Sequence, residues 1–372
     1  MKQYDVVVMG AGITGLAAAY AAARRGLKVA VVEKDSKCVA ASIRNFGFVN
    51  VTGQRGGEHW QRAMSSRDTW AKLAPRAGIE VVHTGLLIPA YRAEAAAVCE
   101  AFLQTEMGEA CRMLDEKKAL QLVPNLQPGA ECYLWSPHEL RVESSQAMPQ
   151  LASWLKEEYE VAFHWSTTVQ HVELPCVTTS EGTLKSRRFI GCPGHDFSLI
   201  PQDALEEARL QICTLQMLRL DPSVEEALNT GVMSDLSLAH YEGFTALPEA
   251  AALQARLDAE MEEVRQAGIH VLAVGSANGS LVVGDSHTYG AAETPFARNR
   301  YEQMILQGFD DVFCLPQRRV TERWMGSYAS AADTVFTWQP SADSLLGIAI
   351  GDTGAATGFA FGEELVARIL NE

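Results

Sequence analysis

Basic residues are scarce in this sequence relative to acidic ones. Its 372 residues contain 31 Lys and Arg against 46 Asp and Glu, which gives a net charge of -15 at pH 7. Nucleic acids and anionic membrane surfaces both attract proteins with a basic face, so this composition argues against either partner. The overall charge does not describe one local pocket, and a small anionic substrate is compatible with it.

Long apolar runs and paired cysteines are also missing. The nearest candidate for a membrane span, residues 16–23, ends at Arg24-Arg25 and is well short of about 18 apolar residues. The eight cysteines are scattered without a C-x-x-C pair, which argues against a zinc knuckle and a redox dithiol. Reduced thiols and the lack of a recognisable secretory leader lead us to expect a cytoplasmic protein.

Motifs for metal-dependent or nucleophilic catalysis are absent as well. The sequence has no H-E-x-x-H zinc motif and no arrangement that suggests a catalytic triad, so we expect no metal site. Internal repeats, low-complexity tracts and long linkers are lacking too. Hydrophobic residues make up 47% of the chain and charged residues 21%, a balance that is typical of a folded globular protein.

The opening of the chain has the pattern of a βαβ unit. An apolar run over 5–9 predicts a buried parallel strand, an alanine-rich segment over 16–25 predicts a helix, and 28–33 predicts a second strand. A G-x-G-x-x-G motif joins the first strand to the helix. This arrangement is typical of proteins that bind a dinucleotide with its pyrophosphate at the helix N-terminus.

Each glycine of this motif has a steric role. Gly10 makes the tight turn, Gly12 lets the pyrophosphate approach the backbone, and Gly15 lets the helix and strand pack closely. Glu33 ends the second strand, where its carboxylate can accept hydrogen bonds from ribose hydroxyls. A carboxylate here repels a 2′-phosphate and disfavours NADP, but it does not separate NAD from FAD.

The remainder of the chain mixes helical and strand patterns. We predict helices over 62–78, 94–107, 111–122, 143–159 and 247–268. Residues 79–90 predict strand, turn and strand, and residues 167–196 predict a meander of short strands. Between 210 and 284 the alternation is typical of an antiparallel sheet, with Tyr241 on one of its strands.

The end of the chain repeats the strand, glycine turn and helix of the opening. Residues 348–350 predict a strand and 359–370 a helix, with Gly351, Gly354 and Gly358 in or just after the turn. A second glycine-lined helix N-terminus favours a ligand edge that carries negative charge, as a reduced flavin does. A nicotinamide enzyme does not need this element. The alternative is a glycine-rich turn that contacts no ligand.

The chain resembles the D-amino-acid oxidase superfamily of FAD-dependent amine oxidoreductases, which includes glycine oxidase and sarcosine oxidase. The resemblance rests on the opening motif, on SIRNFG (42–47), on CPGHD (192–196) and on GDTGAATGFAFGEE (351–364). It implies an α/β fold with a Rossmann-like FAD-binding domain of the glutathione-reductase type and an antiparallel-sheet substrate domain. The implied FAD-binding domain is discontinuous (1–85, 141–205 and 325–372), and the substrate-binding domain covers 86–140 and 206–324.

The resemblance also implies a set of cofactor-binding residues. FAD is expected to be non-covalent, because no cysteine is convincingly placed to tether it. The implied cofactor-binding residues are Gly10, Gly12, Ile13, Thr14, Gly15, Glu33, Lys34, Ser42, Arg44, Asn45, Val169, Pro193, Gly194, Gly354, Thr357 and Gly358.

The substrate pocket departs from the family pattern. Amino-acid oxidases commonly hold the substrate carboxylate with an arginine, whereas the corresponding run WMGSYA (324–329) has Tyr328 in that place. Tyrosine lacks the charge and the fork geometry of a guanidinium, so bidentate carboxylate capture is disfavoured. Candidate substrate-pocket residues are Tyr241, His195, Tyr328, His287 and Tyr289, with Arg44 and Asn45 as further partners for an anion.

Each candidate also has an alternative interpretation in which it does not bind the substrate. Arg44 and Asn45 would contact only the flavin or backbone, His195 would cap a turn, Tyr241 would be core, and His287 and Tyr289 would close a hairpin. Arg141 is expected at the surface or at a domain interface, and Trp324 in packing.

The family resemblance implies amine oxidation. Flavin N5 takes a hydride equivalent from the carbon next to nitrogen, the imine is hydrolysed, and oxygen or another acceptor reoxidises the flavin. The runs SIRNFGFV, HYEGF (240–244), VGDSHTYG (283–290) and ERWMGSYAS (322–330) are similar to a branch linked with N-methylated aminophosphonates, notably N-methyl-2-aminoethylphosphonate. The alternatives are a glycine- or sarcosine-type amino-acid oxidase and a non-catalytic or electron-transfer flavoprotein.

Overall fold

The computed structural model describes residues 3–222, 228–315 and 317–372, which form two β-sheets with helices packed around them. The strands in these ranges are β1 (Gln3–Met9), β2 (Val29–Val32), β3 (Phe48–Val49), β4 (Val81–Ala90), β5 (Arg112–Leu114), β6 (Cys132–Val142), β7 (Ala162–His164), β8 (Val169–Glu173), β9 (Cys176–Thr179), β10 (Gly182–Gly191), β11 (Gln211–Asp221), β12 (Gly231–Met233), β13 (Leu272–Gly275), β14 (Leu281–Gly284), β15 (Thr288–Gly290), β16 (Arg319–Ser330), β17 (Val335–Ser341) and β18 (Ser344–Ala349).

The helices of the same ranges vary from one turn to almost five. They are α1 (Ile13–Arg24), α2 (Glu58–Leu73), α3 (Ala93–Phe102), α4 (Glu116–Leu122), α5 (Ser144–Tyr159), α6 (Gln202–Ala208), α7 (Glu242–Thr245), α8 (Ala250–Glu260), α9 (Glu262–Gln266), α10 (Asn299–Asp310) and α11 (Gly354–Leu370). Short 3-10 helices lie at 41–43, 106–108, 235–239 and 351–353. No helix among the described residues is long and apolar enough to cross a membrane.

Sheet A has the strand order β17-β18-β10-β1-β2-β7, and β18, β10, β1, β2 and β7 run parallel. Val6 and Val8 of β1 face a core formed with α1, α2, α5 and α11, whereas Val7 faces the β8–β9 hairpin. All three valines are fully buried. Both faces of the sheet are covered, which explains why β1 is an unbroken apolar run rather than an alternating one.

Sheet B has the strand order β15-β11-β14-β13-β12-β4-β6-β3, with β16 paired to β11 and β5 paired to β6. Most of its pairings are antiparallel, and β12–β4 is a parallel pair. Along β11, Leu215 and Met217 pack with α3 and α8, while Leu218 and Leu220 pack with α10. This alternation buries both faces. The predicted fold class, α/β with a Rossmann-like domain and an antiparallel sheet, is confirmed.

Several predicted elements differ from the structure. Residues 79–90 do not form two strands with a turn. Val81–Ala90 is one strand with an irregularity between Thr84 and Leu86, where Gly85 has φ +80°. The segment 111–122 begins as β5 before α4, and the helix predicted over 247–268 is divided at Met261 between α8 and α9.

Tyr241 is not on a strand. The strand before it is only three residues long (β12), and a 3-10 helix at 235–239 follows. Tyr241 is the residue that precedes the first turn of α7. The predicted domain boundaries remain a prediction. One of them, between residues 85 and 86, falls inside β4.

Candidate active site

A large cavity lies between the two sheets. It encloses about 1290 Å³, including the part that is open to solvent. The N-terminal ends of α1 and α11 line one part of it, and apolar side chains of sheet B such as Leu215, Met217 and Leu272 line another. Because ligand pockets are typically apolar clefts with a few polar groups, this is the candidate site.

At two positions in the turn between β1 and α1, only glycine fits. Gly10 has φ +97°, and a Cβ atom there would lie 2.4 Å from the carbonyl oxygen of Cys192. A Cβ atom on Gly15 would lie 1.9 Å from the carbonyl oxygen of Gly10. Side chains at these positions would force α1 away from the strands β1 and β10. The two glycines therefore let the helix N-terminus approach the end of the sheet.

Side chains from later segments hold this turn in place. The Ile13 N–H donates a hydrogen bond to Ser42 Oγ at 2.9 Å. Glu33 at the end of β2 accepts hydrogen bonds from Ala11 N–H at 2.7 Å and from Asp35 N–H at 3.0 Å. The carboxylate of Glu33 is thereby fixed beside the glycine turn, as a ribose-binding carboxylate would have to be.

The closing turn of the chain meets the opening turn. Gly351 has φ +76°, and the turn continues through a 3-10 helix into α11, which begins at Gly354. A Cβ atom on Gly354 would lie 3.6 Å from a methyl group of Ile13, and one on Gly358 would lie 2.9 Å from the Ile13 side chain. Two helix N-termini from opposite ends of the sequence thus face one cavity, each with N–H groups that have no partner within the helix.

The structure gathers most of the expected cofactor-binding residues around this cavity. Val169 is the exception, because it packs in an apolar cluster with Val177 and Phe189 away from the lining. Lys34 pairs with Asp196, at 2.7 Å. The lining includes Gly12, Ile13, Thr14, Gly15, Ser42, Arg44, Asn45, Gly194 and Gly354, whereas Gly10, Glu33, Lys34, Pro193, Thr357 and Gly358 lie in the adjoining turns and helices.

These features fit a flavin dinucleotide. The glycine turn leaves room for a pyrophosphate at the N-terminus of α1, and Glu33 is placed for a ribose. The N-terminus of α11 offers positive potential to another part of the same ligand. A family model described as DAO, FAD dependent oxidoreductase, matches residues 5–368. The chain belongs to this family. Its cofactor is FAD, and it is an FAD-dependent oxidoreductase, as the sequence predicted.

Solved structures share the fold at low sequence identity. L-proline dehydrogenase from P. horikoshii has a TM-score of 0.80 and 18% identity, over 100% of this chain and 94% of that chain. Glycine oxidase from Geobacillus kaustophilus has a TM-score of 0.77 and 16% identity, over 100% and 96%. Iminodiacetate oxidase from Chelativorans sp. BNC1 has a TM-score of 0.73 and 17% identity, over 99% and 95%. No curated protein matches the sequence.

The cysteine beside the cavity is not suited to a covalent tether. Cys192 is the cysteine found among the lining residues that the structure describes. Burial raises the pKa of its thiol to about 12, which keeps it protonated at neutral pH. Flavin attachment requires a reactive sulfur, and reactive cysteines are those with a lowered pKa. This argues against a tether through Cys192.

Two carboxylates and two tyrosines form a polar part of the cavity wall: Asp285, Asp352, Tyr241 and Tyr328. Burial raises the pKa of Asp352, and the neighbouring Tyr241 hydroxyl offsets part of this shift. Burial also raises the pKa of Asp285, to about 6. Burial raises the pKa of both tyrosines, so their hydroxyls stay protonated and can donate hydrogen bonds.

Sequence reasoning missed both of these aspartates. Asp285 directly follows the last residue of β14, and Asp352 lies in the turn after β18. In each case the aspartate comes directly after a glycine at the end of a strand, in VGDS and in IGDT. That repeated Gly-Asp pattern would have identified them, because ligand-binding sites commonly lie at the carboxyl ends of strands.

The predicted substrate-pocket residues divide into two groups. Tyr241, Tyr328 and His195 line the cavity. His287 is fully buried behind the lining, and Tyr289 is exposed. Burial lowers the pKa of His195, although its Nε2 lies 2.7 Å from the carboxylate of Glu293.

Basic side chains are few at this cavity. Among the lining residues in the described ranges, Arg44 carries a fixed positive charge and His195 an ionisable one. The Arg44 Nε–H donates to the carbonyl of Val39, and Asn45 bonds to the backbone of Ala41 and Gly47.

Arg141 is buried, so of its two expected positions the surface is wrong and the domain interface stays a prediction. It is 1% exposed on β6, and its guanidinium donates to the Val142 carbonyl, to Glu143 and to Ser276. Trp324 is a packing residue whose indole N–H donates to the carbonyl of Arg44 at 3.1 Å.

Proposed function

We propose that the protein oxidises a small secondary amine. Bound FAD would accept a hydride from the carbon next to the amine nitrogen. The observation that carries the proposal is the position of Asp352, Tyr241 and Tyr328 in the same cavity as the two helix N-termini. A buried carboxylate attracts an ammonium group, and the surrounding hydroxyls fix its orientation.

The same carboxylate is suited to remove the proton from the bound ammonium. An amine releases hydride only when its nitrogen lone pair is free. Burial raises the pKa of Asp352, which brings it closer to the pKa of an ammonium group and makes it a stronger base than an exposed aspartate. The Tyr241 hydroxyl neighbours this carboxylate and would orient it. Asp352 is therefore the proposed proton acceptor and Tyr241 its positioning residue.

The proposed cofactor contacts follow from the two turns. Gly12, Ile13 and Ser42 would hold the pyrophosphate side, and Glu33 the ribose. Gly354 and the start of α11 would face the flavin, where a helix N-terminus favours the reduced, anionic state. This division uses both ends of the chain for one ligand.

The proposed substrate is an N-methylated aminophosphonate, such as N-methyl-2-aminoethylphosphonate. Four runs of the sequence resemble the branch linked with such compounds, and Tyr328 replaces the arginine that grips a carboxylate in amino-acid oxidases. Arg44 and His195 line the same cavity and would face the phosphonate. L-proline and iminodiacetate, which the names of two structural neighbours contain, are also secondary amines.

Anaerobic reduction of the bound flavin tests this function. The purified holoprotein is mixed without oxygen with N-methyl-2-aminoethylphosphonate, sarcosine, glycine, iminodiacetate and L-proline, and the loss of the oxidised-flavin absorbance is followed. We expect the phosphonate to reduce the flavin fastest. Preference for sarcosine or glycine would instead establish an amino-acid oxidase, and no reduction by any amine would indicate a non-catalytic or electron-transfer flavoprotein. Reoxidation by oxygen and by artificial acceptors then separates an oxidase from a dehydrogenase.

A further inference from the structure

Three histidines that are distant in sequence meet beside the cavity. His240 follows the 3-10 helix at 235–239, His270 precedes β13, and His287 follows β14. One ring nitrogen of each lies within 4.8 Å of the others. His270 and His287 are 2% and 3% exposed, and His240 is half-buried. Asp285, itself 3% exposed, borders the same cluster.

Hydrogen bonding fixes the protonation pattern of one of these rings. His287 Nδ1 lies 2.7 Å from the carbonyl oxygen of Gly268. A carbonyl only accepts, so Nδ1 carries the proton, and Nε2 of the neutral imidazole presents a lone pair. This Nε2 lies 3.7 Å from Asp285 Oδ2. Two acceptors therefore face each other in the interior with no donor between them.

The second ring also faces Asp285 through its Nε2. His270 Nδ1 lies 3.2 Å from Ser237 Oγ, and His270 Nε2 lies 3.5 Å from Asp285 Oδ1. His270 Nε2, His287 Nε2 and Asp285 Oδ1 have no hydrogen-bond partner. Buried polar atoms without a partner are costly, and a cation bound by the unprotonated ring nitrogens and the carboxylate removes that cost.

The spacing is that of ligands around a metal ion. Nitrogen and oxygen ligands lie about 2.0–2.2 Å from a tetrahedral zinc ion, which places them about 3.4 Å from one another. The two distances to Asp285, 3.5 and 3.7 Å, are close to that value. They are longer than direct hydrogen bonds, which are about 2.7–3.2 Å. The histidine nitrogens lie within 4.8 Å of one another, and the rings of His240 and His270 are stacked with centroids 3.9 Å apart, so binding requires these rings to turn their nitrogens toward the ion.

We propose that His240, His270, His287 and Asp285 bind a divalent first-row transition metal of the Zn²⁺ class. Three imidazoles and one carboxylate suit this ion. The Gly268 carbonyl and Ser237 hydroxyl orient two of the imidazoles through their other nitrogen, as is usual for metal-bound histidine. The spacings of 30 and 17 residues between the histidines match no metal motif, so sequence reasoning expected no metal.

The site has a structural role rather than a catalytic one. The three imidazoles, together with the Asp285 carboxylate beside two of them, would complete a tetrahedral shell and leave no open position for substrate. The ion joins the segment after the 3-10 helix at 235–239 to the ends of β13 and β14. Because Asp285 also lines the FAD cavity, the ion fixes that part of its wall. This inference does not depend on which amine the protein oxidises.

Metal content of the holoprotein tests the proposal. The tag-free, FAD-loaded protein is stripped with a chelator, loaded with Zn²⁺, passed through gel filtration and analysed for zinc and FAD. H270Q and H287Q remove one ligand each. H138Q is the matched control, because His138 is a buried histidine of sheet B that bonds to the Glu109 carbonyl outside the cluster.

We expect about one zinc ion per chain in the wild type and in H138Q. The zinc affinity of H270Q and of H287Q should fall by at least about 100-fold. Loss of a residue that only orients a ligand lowers metal affinity by about 10- to 100-fold, so a larger fall identifies a direct ligand. Equal zinc affinity in wild type, H270Q and H287Q would overturn the proposal.

If H270Q and H287Q fail to fold, as judged by their FAD content and circular dichroism, a second measurement tests the proposal on the wild type. The wild type alone is then titrated with Co²⁺ and with Zn²⁺ against a chromophoric chelator. Binding of one Co²⁺ per chain, with the absorption bands of tetrahedral nitrogen-coordinated cobalt at wavelengths beyond those of the flavin, supports the site. Failure of the wild type to compete with the chelator for either ion refutes it.

Discussion

Gly362 of α11 lies directly against the backbone of Ala18 in α1. A Cβ atom on Gly362 would be 2.6 Å from the Ala18 nitrogen and 2.7 Å from the Ala17 carbonyl carbon. Backbone atoms cannot move aside as a flexible side chain can. This contact therefore sets how closely the two helices approach, and with it the separation of the two helix N-termini that face the cavity.

Gly362→Ala is expected to destabilise the protein and weaken FAD binding together. Overpacking of this kind costs about 1–3 kcal/mol of unfolding free energy. The shift of α11 also moves its N-terminus away from that of α1, so the Kd for FAD should rise. Both are measured on the apoprotein, by urea unfolding and by titration with FAD. Gly56→Ala is the control, because a Cβ atom at Gly56 would meet only the Met107 side chain, at 3.4 Å. Unchanged stability and FAD affinity in G362A would contradict this account of the helix contact.

Glu33→Gln is expected to weaken FAD binding without unfolding the chain. Glu33 already accepts hydrogen bonds from Ala11 N–H and Asp35 N–H, which fix its carboxylate beside the glycine turn. Hydrogen bonds to a charged group contribute about 1.5–3 kcal/mol, so the Kd for FAD should rise by about 10- to 150-fold. Glu173→Gln, at an exposed carboxylate on β8, is the control. An E33Q protein with wild-type FAD affinity would show that the carboxylate does not contact the cofactor.

The opening βαβ unit could be predicted because its determinants are local. Gly10 and Gly15 are needed for steric reasons within one turn, and Glu33 follows the next strand along the chain. The closing turn could be predicted for the same reason. That the two turns meet follows from the packing of α1 on α11, which no local pattern specifies. The family resemblance supplied that step.

The polar part of the cavity could not be predicted from the sequence alone. Asp285 and Asp352 come from different sheets and meet only through the tertiary fold. Gly85 was misread as a turn, because a positive φ at a bulge and at a turn both favour glycine. The surface position offered for Arg141 is wrong, because Val142, Glu143 and Ser276 accept hydrogen bonds from its guanidinium inside the protein.

Asp352→Asn is expected to impair reduction of the flavin while FAD stays bound. The amide cannot accept a proton from the ammonium, and general-base catalysis of this kind contributes about 10²–10⁴-fold. Burial raises the pKa of Asp352, so its carboxylate takes up a proton at a higher pH than an exposed aspartate does. The decrease of wild-type kcat/KM at acidic pH should therefore begin at that higher pH. Tyr241→Phe should lower kcat and move this acidic limb to higher pH, because the hydroxyl that favours the ionised carboxylate is lost.

Stopped-flow reduction over a pH series measures both of these effects. Glu249→Gln serves as the control, since Glu249 is exposed and lies outside the lining of the cavity. If D352N kept the wild-type rate of reduction and its acidic limb, another group would have to accept the proton.

His83 makes the stability of the fold depend on pH. It is 6% exposed on β4, and its Nε2 accepts a hydrogen bond from Gly275 N–H at 3.2 Å. Burial, and then the nearby Arg141, lower the pKa of His83 to about 3. The unfolded chain has a histidine pKa of about 6.5 and so binds more protons than the folded chain between these values. The free energy of unfolding therefore falls as the pH falls from 6.5 towards 3.

His83→Gln should remove this part of the pH dependence. The Gln carbonyl oxygen can accept the Gly275 N–H bond but does not take up a proton. The wild type should lose about 2 kcal/mol more than H83Q between pH 7 and pH 5, because the imidazole of the unfolded chain becomes protonated in that range. Urea unfolding of the FAD-loaded protein at pH 7, 6 and 5 measures the difference. His171→Gln, at an exposed histidine, should behave as the wild type does. If H83Q lost as much stability as the wild type between pH 7 and pH 5, the imidazole at this position would not be held neutral by burial.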